Sequence, residues 1–343
     1  MNHDYFLYIL KETLKIPSPS GMTRAAMEFI ENEIGKLGLR CTRTKKGAIY
    51  TALEGKTKDK ARMLVAHIDT LGAIVYDIRD DGRLSIRRIG GVNCGGIEHD
   101  DVDIYTRNSG ILHGTVIPEK QSVHVFALEA HNLPRLEQNM VVRLDIRTNS
   151  RQETLAAGIN IGDMITFPTN TEIIENGFIK SKFIDDKGCL AIEMALLEEY
   201  VRTRKTPEYT TYFFISDYEE VGHGLYSVPE DTSEVVAIDV GSVGGDHPSS
   251  EYQTSIIAKD KFTVYDFDFR RKLEKLAEEN DIAFCTEIYD NYGSDASVAV
   301  TQGFDFRFAC LGPGVDATHH YERTHMSAIE NTYRLLDLYL MSK

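Results

Sequence analysis

The sequence has no tryptophan, which removes the indole platform on which sugar rings are commonly stacked. Cysteine is sparse: Cys41, Cys94, Cys189, Cys285 and Cys310 are odd in number, widely separated and never in a Cys-x-x-Cys pair. Neither a disulfide framework nor a thiolate zinc site is indicated. No apolar run approaches the ~18 residues of a membrane span. The start, Met1-Asn2-His3-Asp4, lacks the basic and apolar regions of a signal peptide, so the chain reads as cytoplasmic and soluble. Positive charge is also short, with 38 Lys and Arg against 53 Asp and Glu, a net charge of −15. That deficit argues against nucleic acid or an anionic membrane as partner, because both are held by clustered cations. A Gly-x-Ser-x-Gly nucleophile elbow and a Walker-type phosphate loop are missing as well.

What is present is ordinary globular material. The chain has 343 residues, 42% hydrophobic and 27% charged, enough for about two domains. A chain of this size buries about three quarters of its unfolded surface and needs no metal merely to fold. Helical spacing is predicted over 4–16, 23–37, 187–204, 268–280 and 327–340. Short apolar runs at Met63–Ala66, Tyr212–Ile215, Val235–Ile238 and Arg307–Leu311 read as buried strands. Strands alternating with helices predict an α/β fold, a sheet covered on both faces. Residues 73–164 break the pattern with short β-like runs and turns such as Asp80-Asp81-Gly82 and Asn108-Ser109-Gly110. They predict a small β domain inserted into the α/β domain.

Chemistry-bearing residues follow the buried runs. Met63–Ala66 leads into His67-Ile68-Asp69, Phe183-Ile184 into Asp185-Asp186, Tyr212–Ile215 into Glu219-Glu220, and Val235–Ile238 into Asp239. In open α/β sheets the ligand crevice lies beyond the carboxyl ends of the strands. Histidine with several carboxylates and no cysteine suits zinc, cobalt or manganese. His67 and Asp69 stand two apart, so on a strand they share a face, and Asp69 could accept the proton on the second ring nitrogen of His67. Singly, each signal is weak. A His near a strand end is usually structural, and a Glu-Glu pair is usually a solvated loop. Adjacent glutamates beside a buried strand are nevertheless costly unless neutralised, and their diverging side chains permit two different roles. A glycosidase would need its carboxylates ~5–9.5 Å apart, which this adjacent pair does not obviously provide.

In order, Ala66-His67-Ile68-Asp69, Ile184-Asp185-Asp186-Lys187-Gly188, Tyr218-Glu219-Glu220-Val221-Gly222, Ala237-Ile238-Asp239-Val240-Gly241 and Arg323-Thr324-His325 resemble the tetrahedral (TET) two-metal aminopeptidase family, the glutamyl/leucyl aminopeptidase-like metallopeptidases. The resemblance spans nearly the whole chain. Ser18-Pro19-Ser20-Gly21 is similar to its amino-terminal turn and Asn160-Ile161-Gly162-Asp163 to the segment closing its inserted domain. Asn291–Ala296 and Gly312–Asp316 with Tyr321-Glu322-Arg323 are similar to a subgroup associated with osmoprotectant dipeptide metabolism. Two departures, Thr70 where Glu is common and His223 where Arg is frequent, both lie near the substrate.

The resemblance implies a zinc-exopeptidase-like mixed sheet flanked by helices, formed by 1–72 and 165–343, with a β-barrel-like insertion at 73–164 serving oligomerisation and substrate access. It implies two divalent metals per subunit, zinc or cobalt, with manganese as a further option. His67 and Asp239 match terminal ligands of one metal, Glu220 and His325 ligands of the other, and Asp185 the bridge between them. Glu219 matches the general base and Asp69 the residue orienting His67. The implied reaction is release of the amino-terminal residue of a short peptide by a hydroxide shared between two metals, in a homo-oligomer built from dimers into a dodecamer. Rival readings are an N-acyl amino-acid or dipeptide hydrolase or a carboxypeptidase on the same scaffold, and a non-catalytic peptide-binding assembly protein. His99, His113, His124 and His131 read as structural, whereas His223 and His247 could line a substrate pocket.

Overall fold

The computed structural model describes residues 1–343. The chain divides into two compact units, Met1–Thr70 with Asn170–Lys343, and Leu71–Thr169. The first unit is mixed α/β. Four strands form the parallel centre of its sheet, in the order Tyr209–Ser216, Thr57–His67, Thr232–Ile238 and Arg307–Asp316. Their interiors are fully buried: Met63, Leu64, Phe213, Phe214, Val235, Val236, Cys310 and Leu311 are all within 1% of zero exposure. This is the pattern of a parallel strand covered on both faces. Antiparallel strands extend both edges, Ile49–Leu53 beside Tyr209–Ser216 and Glu322–His325 beside Arg307–Asp316.

Helices cover the sheet. His3–Lys15 buries Phe6, Ile9, Leu10 and Leu14 at helical spacing and is capped by Asn2, whose side chain accepts the Tyr5 N–H at 3.2 Å. Ile184–Thr203 buries every residue from Ile184 to Glu198, so this helix is enclosed all round rather than on one face. Its first turn is irregular, with Asp185 and Asp186 outside helical dihedrals. The last helix, Met326–Met341, packs Ile329, Tyr333, Leu336 and Leu340 inward. No helix is long and apolar enough to cross a membrane.

The second unit is a closed six-stranded barrel, in the order Gly72–Ile78, Leu84–Ile89, Met140–Leu144, Ile111–Pro118, Asp101–Tyr105 and Met164–Thr166. Val75, Ile86, Ile104, Val116, Val142 and Ile165 are buried, the inward half of the period-2 alternation that closure requires. Its helices are short, the longest being Arg151–Ala156.

Candidate active site

Strand register brings the site together. Ser216 pairs with His67, and Ala237 pairs with Val65, so Asp239, two residues on, is level with His67. Glu219 and Glu220 occupy a short helical turn directly after Tyr209–Ser216. Asp185 lies in the irregular first turn of the buried helix, just after the strand Phe178–Ser181. Three residues beside these groups have left-handed backbones, Phe183 (φ 67°), Tyr218 (φ 71°) and His319 (φ 63°). Each such non-glycine conformation costs roughly 1–3 kcal/mol and persists only where its surroundings enforce it.

Asp185 is the centre. One of its oxygens lies 3.2 Å from His67 Nε2 and the other 3.5 Å from His319 Nε2. Glu220 is 3.6 Å from His319 Nε2, and Glu219 is 3.6 Å from His67 Nε2. His67, Asp185 and Glu220 bring donor atoms within 4.8 Å of one another, as do Asp185, Asp186 and Asp239. Two overlapping donor groups thus share one carboxylate. His67, Asp69, Asp185 and Asp239 are buried and Glu219 and Glu220 partly so.

His325 is not part of this cluster, which corrects the ligand expected from the sequence. It caps the last helix instead: its Nδ1 accepts the Ser327 N–H at 3.1 Å, and its Nε2 donates to the Asn176 carbonyl at 2.9 Å. Its ring packs between Phe178 and Tyr252, at centroid distances of 5.0 and 5.2 Å. Both ring nitrogens are committed to this role. His319, six residues earlier, holds the position facing Asp185 and Glu220.

Asp69 does more than the sequence indicates. His67 Nδ1 lies 2.9 Å from the Asp69 carbonyl and 3.6 Å from its carboxylate, so the main chain fixes the tautomer. The carboxylate accepts the amide N–H groups of Glu219 and Glu220 at 3.1 and 3.2 Å and the Ser20 hydroxyl at 2.5 Å. Asp69 therefore orients the imidazole through its backbone and the glutamate turn through its side chain.

Three further residues support the site without having been given a role from the sequence. Glu322 accepts the backbone N–H of Asp185 at 3.0 Å and of His319 at 3.1 Å, tying two proposed ligand loops together. Asp295 accepts the Leu225 N–H at 2.7 Å and the Ser216 hydroxyl, and so clasps the turn carrying Glu219 and Glu220 at both ends. Gly224 is required beside it, since a Cβ there would fall 2.0 Å from Asp295 Oδ1. Lys46 donates to the carbonyl of His223 and to its ring Nδ1, the latter at 3.0 Å. The one local signal was Ser294-Asp295 at a helix start, where Ser294 and Ser297 form a capping box.

Electrostatically the cluster is overloaded with carboxylates. Burial first, and neighbouring acids second, push Glu219 and Asp239 well above the usual carboxylate range, although His67 opposes both. Burial likewise lifts Glu220 to about 8, with His319 opposing and Asp185 adding to the rise. Burial also opposes ionisation of Asp185, but hydrogen bonds from His319 and His67 outweigh it and hold that carboxyl below its usual range. Glu220 Oε1 and Asp186 Oδ1 are buried with no hydrogen-bond partner. Buried acceptors of this kind are expensive unless a cation or a proton answers them.

Such a fold and site, with buried imidazoles and carboxylates at the carboxyl ends of parallel strands and a further glutamate alongside, define a hydrolase of the metallo-exopeptidase class. The chain belongs to the M42 glutamyl aminopeptidase family, whose model matches residues 47–335, and it is a peptide hydrolase. YhfE of Bacillus subtilis (strain 168), which carries an aminopeptidase name, is 39% identical over 335 residues, covering 97% of this chain and 96% of that protein. The fold is that of a TET aminopeptidase from a marine-sediment Thaumarchaeota archaeon, with a TM-score of 0.88 at 18% identity over 99% of this chain and 97% of that one. It also matches the TET1 peptidase of Pyrococcus horikoshii, with a TM-score of 0.82 at 21% identity over 98% and 100% of the two chains.

Proposed function

We propose that this chain is a two-metal aminopeptidase acting on short peptides. The observation that carries the reading is Asp185, whose two carboxylate oxygens face His67 on one side and His319 on the other. The donor set fits divalent ions: imidazole nitrogens and carboxylates suit zinc, cobalt or manganese, and the unpartnered Glu220 and Asp186 oxygens leave acceptors for a cation. His67 and Asp239 would hold one ion, Glu220 and His319 the other, and Asp185 both. When bound, the metals supply Lewis-acid activation of a water molecule and of the scissile carbonyl.

The remaining chemistry belongs to the chain. Glu219 stands beside His67 without being needed as a ligand, and burial gives its carboxylate a higher proton affinity than an ordinary glutamate. That tuning suits a group that takes a proton from the attacking water and passes it to the leaving amine. Asp69 and Asp295 fix the turn on which Glu219 sits. The free amino group of the substrate would be answered by the excess of carboxylates.

The chain is further proposed to form a homo-oligomer, in keeping with the TET1 peptidase of Pyrococcus horikoshii, which assembles into a tetrahedron or an octahedral shell. The barrel unit is the proposed assembly element. Five free cysteines fit a reducing, cytoplasmic setting. The decisive assay compares one dipeptide amide with its N-acetylated form on the metal-loaded protein. At least ~100-fold poorer cleavage of the acetylated form is expected, since acylation leaves buried acceptors unpaired. Preference for the acetylated form would favour an N-acyl hydrolase instead.

A further inference from the structure

A cavity of about 380 Å³ lies between the residue 42–50 hairpin and the chain just beyond the glutamate turn. Arg43, Lys45 and Lys46 line it, and no carboxylate does, in a chain whose net charge is −15. The adjoining cavity, which shares Arg43 and Lys46, contains Glu28, Glu31 and Asp217, so the lack of acids is particular to this one. Its other walls include the flat rings of Tyr50, Phe214 and Tyr226, along with the hydroxyl residues Thr42, Thr44 and Ser227.

The cations differ in how far they are engaged. Arg43 is bound to Glu31. Lys45 is exposed, with neither ion pair nor hydrogen bond. Lys46 spends two donors on the carbonyl and Nδ1 of His223 and lies 4.8 Å from the Tyr226 ring centroid. An ammonium has three donors, so one remains for a ligand. The Thr44 hydroxyl, in the same wall, is buried with no partner.

We propose that this cavity binds small anions carried on a flat apolar body, an aryl carboxylate or aryl phosphate, and that Lys46 transmits occupancy to the turn bearing Glu219 and Glu220. The anion sits between Lys45 and Lys46, and its apolar body lies against Tyr50 and Tyr226. Charge-assisted hydrogen bonds to the anion compete with those from Lys46 to His223. His223 closes the turn, its N–H bonding the Tyr218 carbonyl at 3.1 Å and its ring stacking on Tyr218 at 5.1 Å. A change at Lys46 is therefore felt at Glu219. The kinetic consequence rests on Glu219 acting as the base, whereas the binding itself does not.

Calorimetric titration of the metal-loaded protein with phenyl phosphate and with phenylacetate separates the two anion sources. At least one should bind with a Kd below about 10 mM, and Lys45→Glu should weaken it about tenfold or more by reversing the charge facing the ligand. Lys45 is exposed and outside the catalytic machinery, so activity without the probe should stay at the wild-type level. Tyr226→Ala, also at an exposed position, should weaken binding independently by removing the apolar wall. Saturation should change kcat for a dipeptide amide rather than only its KM. Absence of binding by both probes, or binding purely competitive with peptide and unaltered in both variants, would overturn the site. Binding lost in Lys45→Glu while saturation leaves kcat unchanged would overturn the coupling through Lys46.

Discussion

Asp295→Asn probes the clasp on the glutamate turn. In the native chain both Asp295 oxygens accept, one from the Leu225 N–H at 2.7 Å and the other from the Ser216 hydroxyl. Asparagine keeps its oxygen on the Leu225 N–H and turns an NH2 toward the Ser216 hydroxyl, which rotates to accept it, so two hydrogen bonds to a carboxylate become two neutral ones. At a site only 4% exposed, water cannot compensate. Exchanging hydrogen bonds to a charged group for neutral ones costs about 1–3 kcal/mol in all. Because the bonds bracket Ser216 to Leu225, part of that loss falls on the placement of Glu219, and every ~1.4 kcal/mol lost from the transition state is tenfold in rate. The expected result is a kcat reduced about 3- to 30-fold at near-native KM and metal content, the part of that loss that reaches the transition state, together with a lower Tm. Steady-state kinetics, elemental analysis and calorimetry on one preparation measure all of these. A lower Tm with an unchanged kcat would refute the assignment of Asp295 as a positioning residue.

Glu219→Gln should retain both metals and the fold while losing several orders of magnitude in turnover, as read by kinetics and elemental analysis together; native turnover would move the base elsewhere. Burial, reinforced by the charge of Asp69, pushes Asp217 to about 6 against an ordinary 3.8, with the Thr23 hydrogen bond and Lys46 opposing. The native state therefore keeps a proton that the unfolded chain releases, so this group's contribution to stability is full below about pH 4 and is lost as pH rises through about 6. Asp217→Asn should remove that dependence and raise stability at pH 8 by about 1–3 kcal/mol, as checked by denaturant titration at pH 4 and 8. Light scattering of the purified protein at micromolar concentration should give a mass several times that of one chain; a monomer would contradict assembly.

Much of the scaffold was legible because buried parallel strands leave a strong mark. Met63–Ala66, Tyr212–Ile215 and Val235–Ile238 are continuous apolar runs, and each lies inside an observed strand. The polar residues after them converge because the strands are parallel and in register, a consequence of fold class rather than of any single motif. His325 was misleading for a physical reason: a histidine before a final helix serves equally as a metal ligand or as an N-cap, and only the Asn176 and Ser327 contacts distinguish the two. His319 carried no periodic signal, since it sits in a left-handed turn between two strands. Asp295, Glu322 and Lys46 act across long sequence separations, Lys46 reaching His223 over 177 positions. Contacts of that kind are set by tertiary packing and leave no local trace.

Asp185 is proposed to join two metal sites, one completed by His319. Elemental analysis of purified, dialysed protein tests this most directly, on wild type, His319→Ala and His325→Ala in parallel. Wild type should hold two divalent ions per chain, His319→Ala should lose one, and His325→Ala should keep both while melting at a lower temperature through loss of its helix cap, by about 0.5–2 kcal/mol. Two ions retained in His319→Ala with one lost in His325→Ala would make His325, not His319, the ligand.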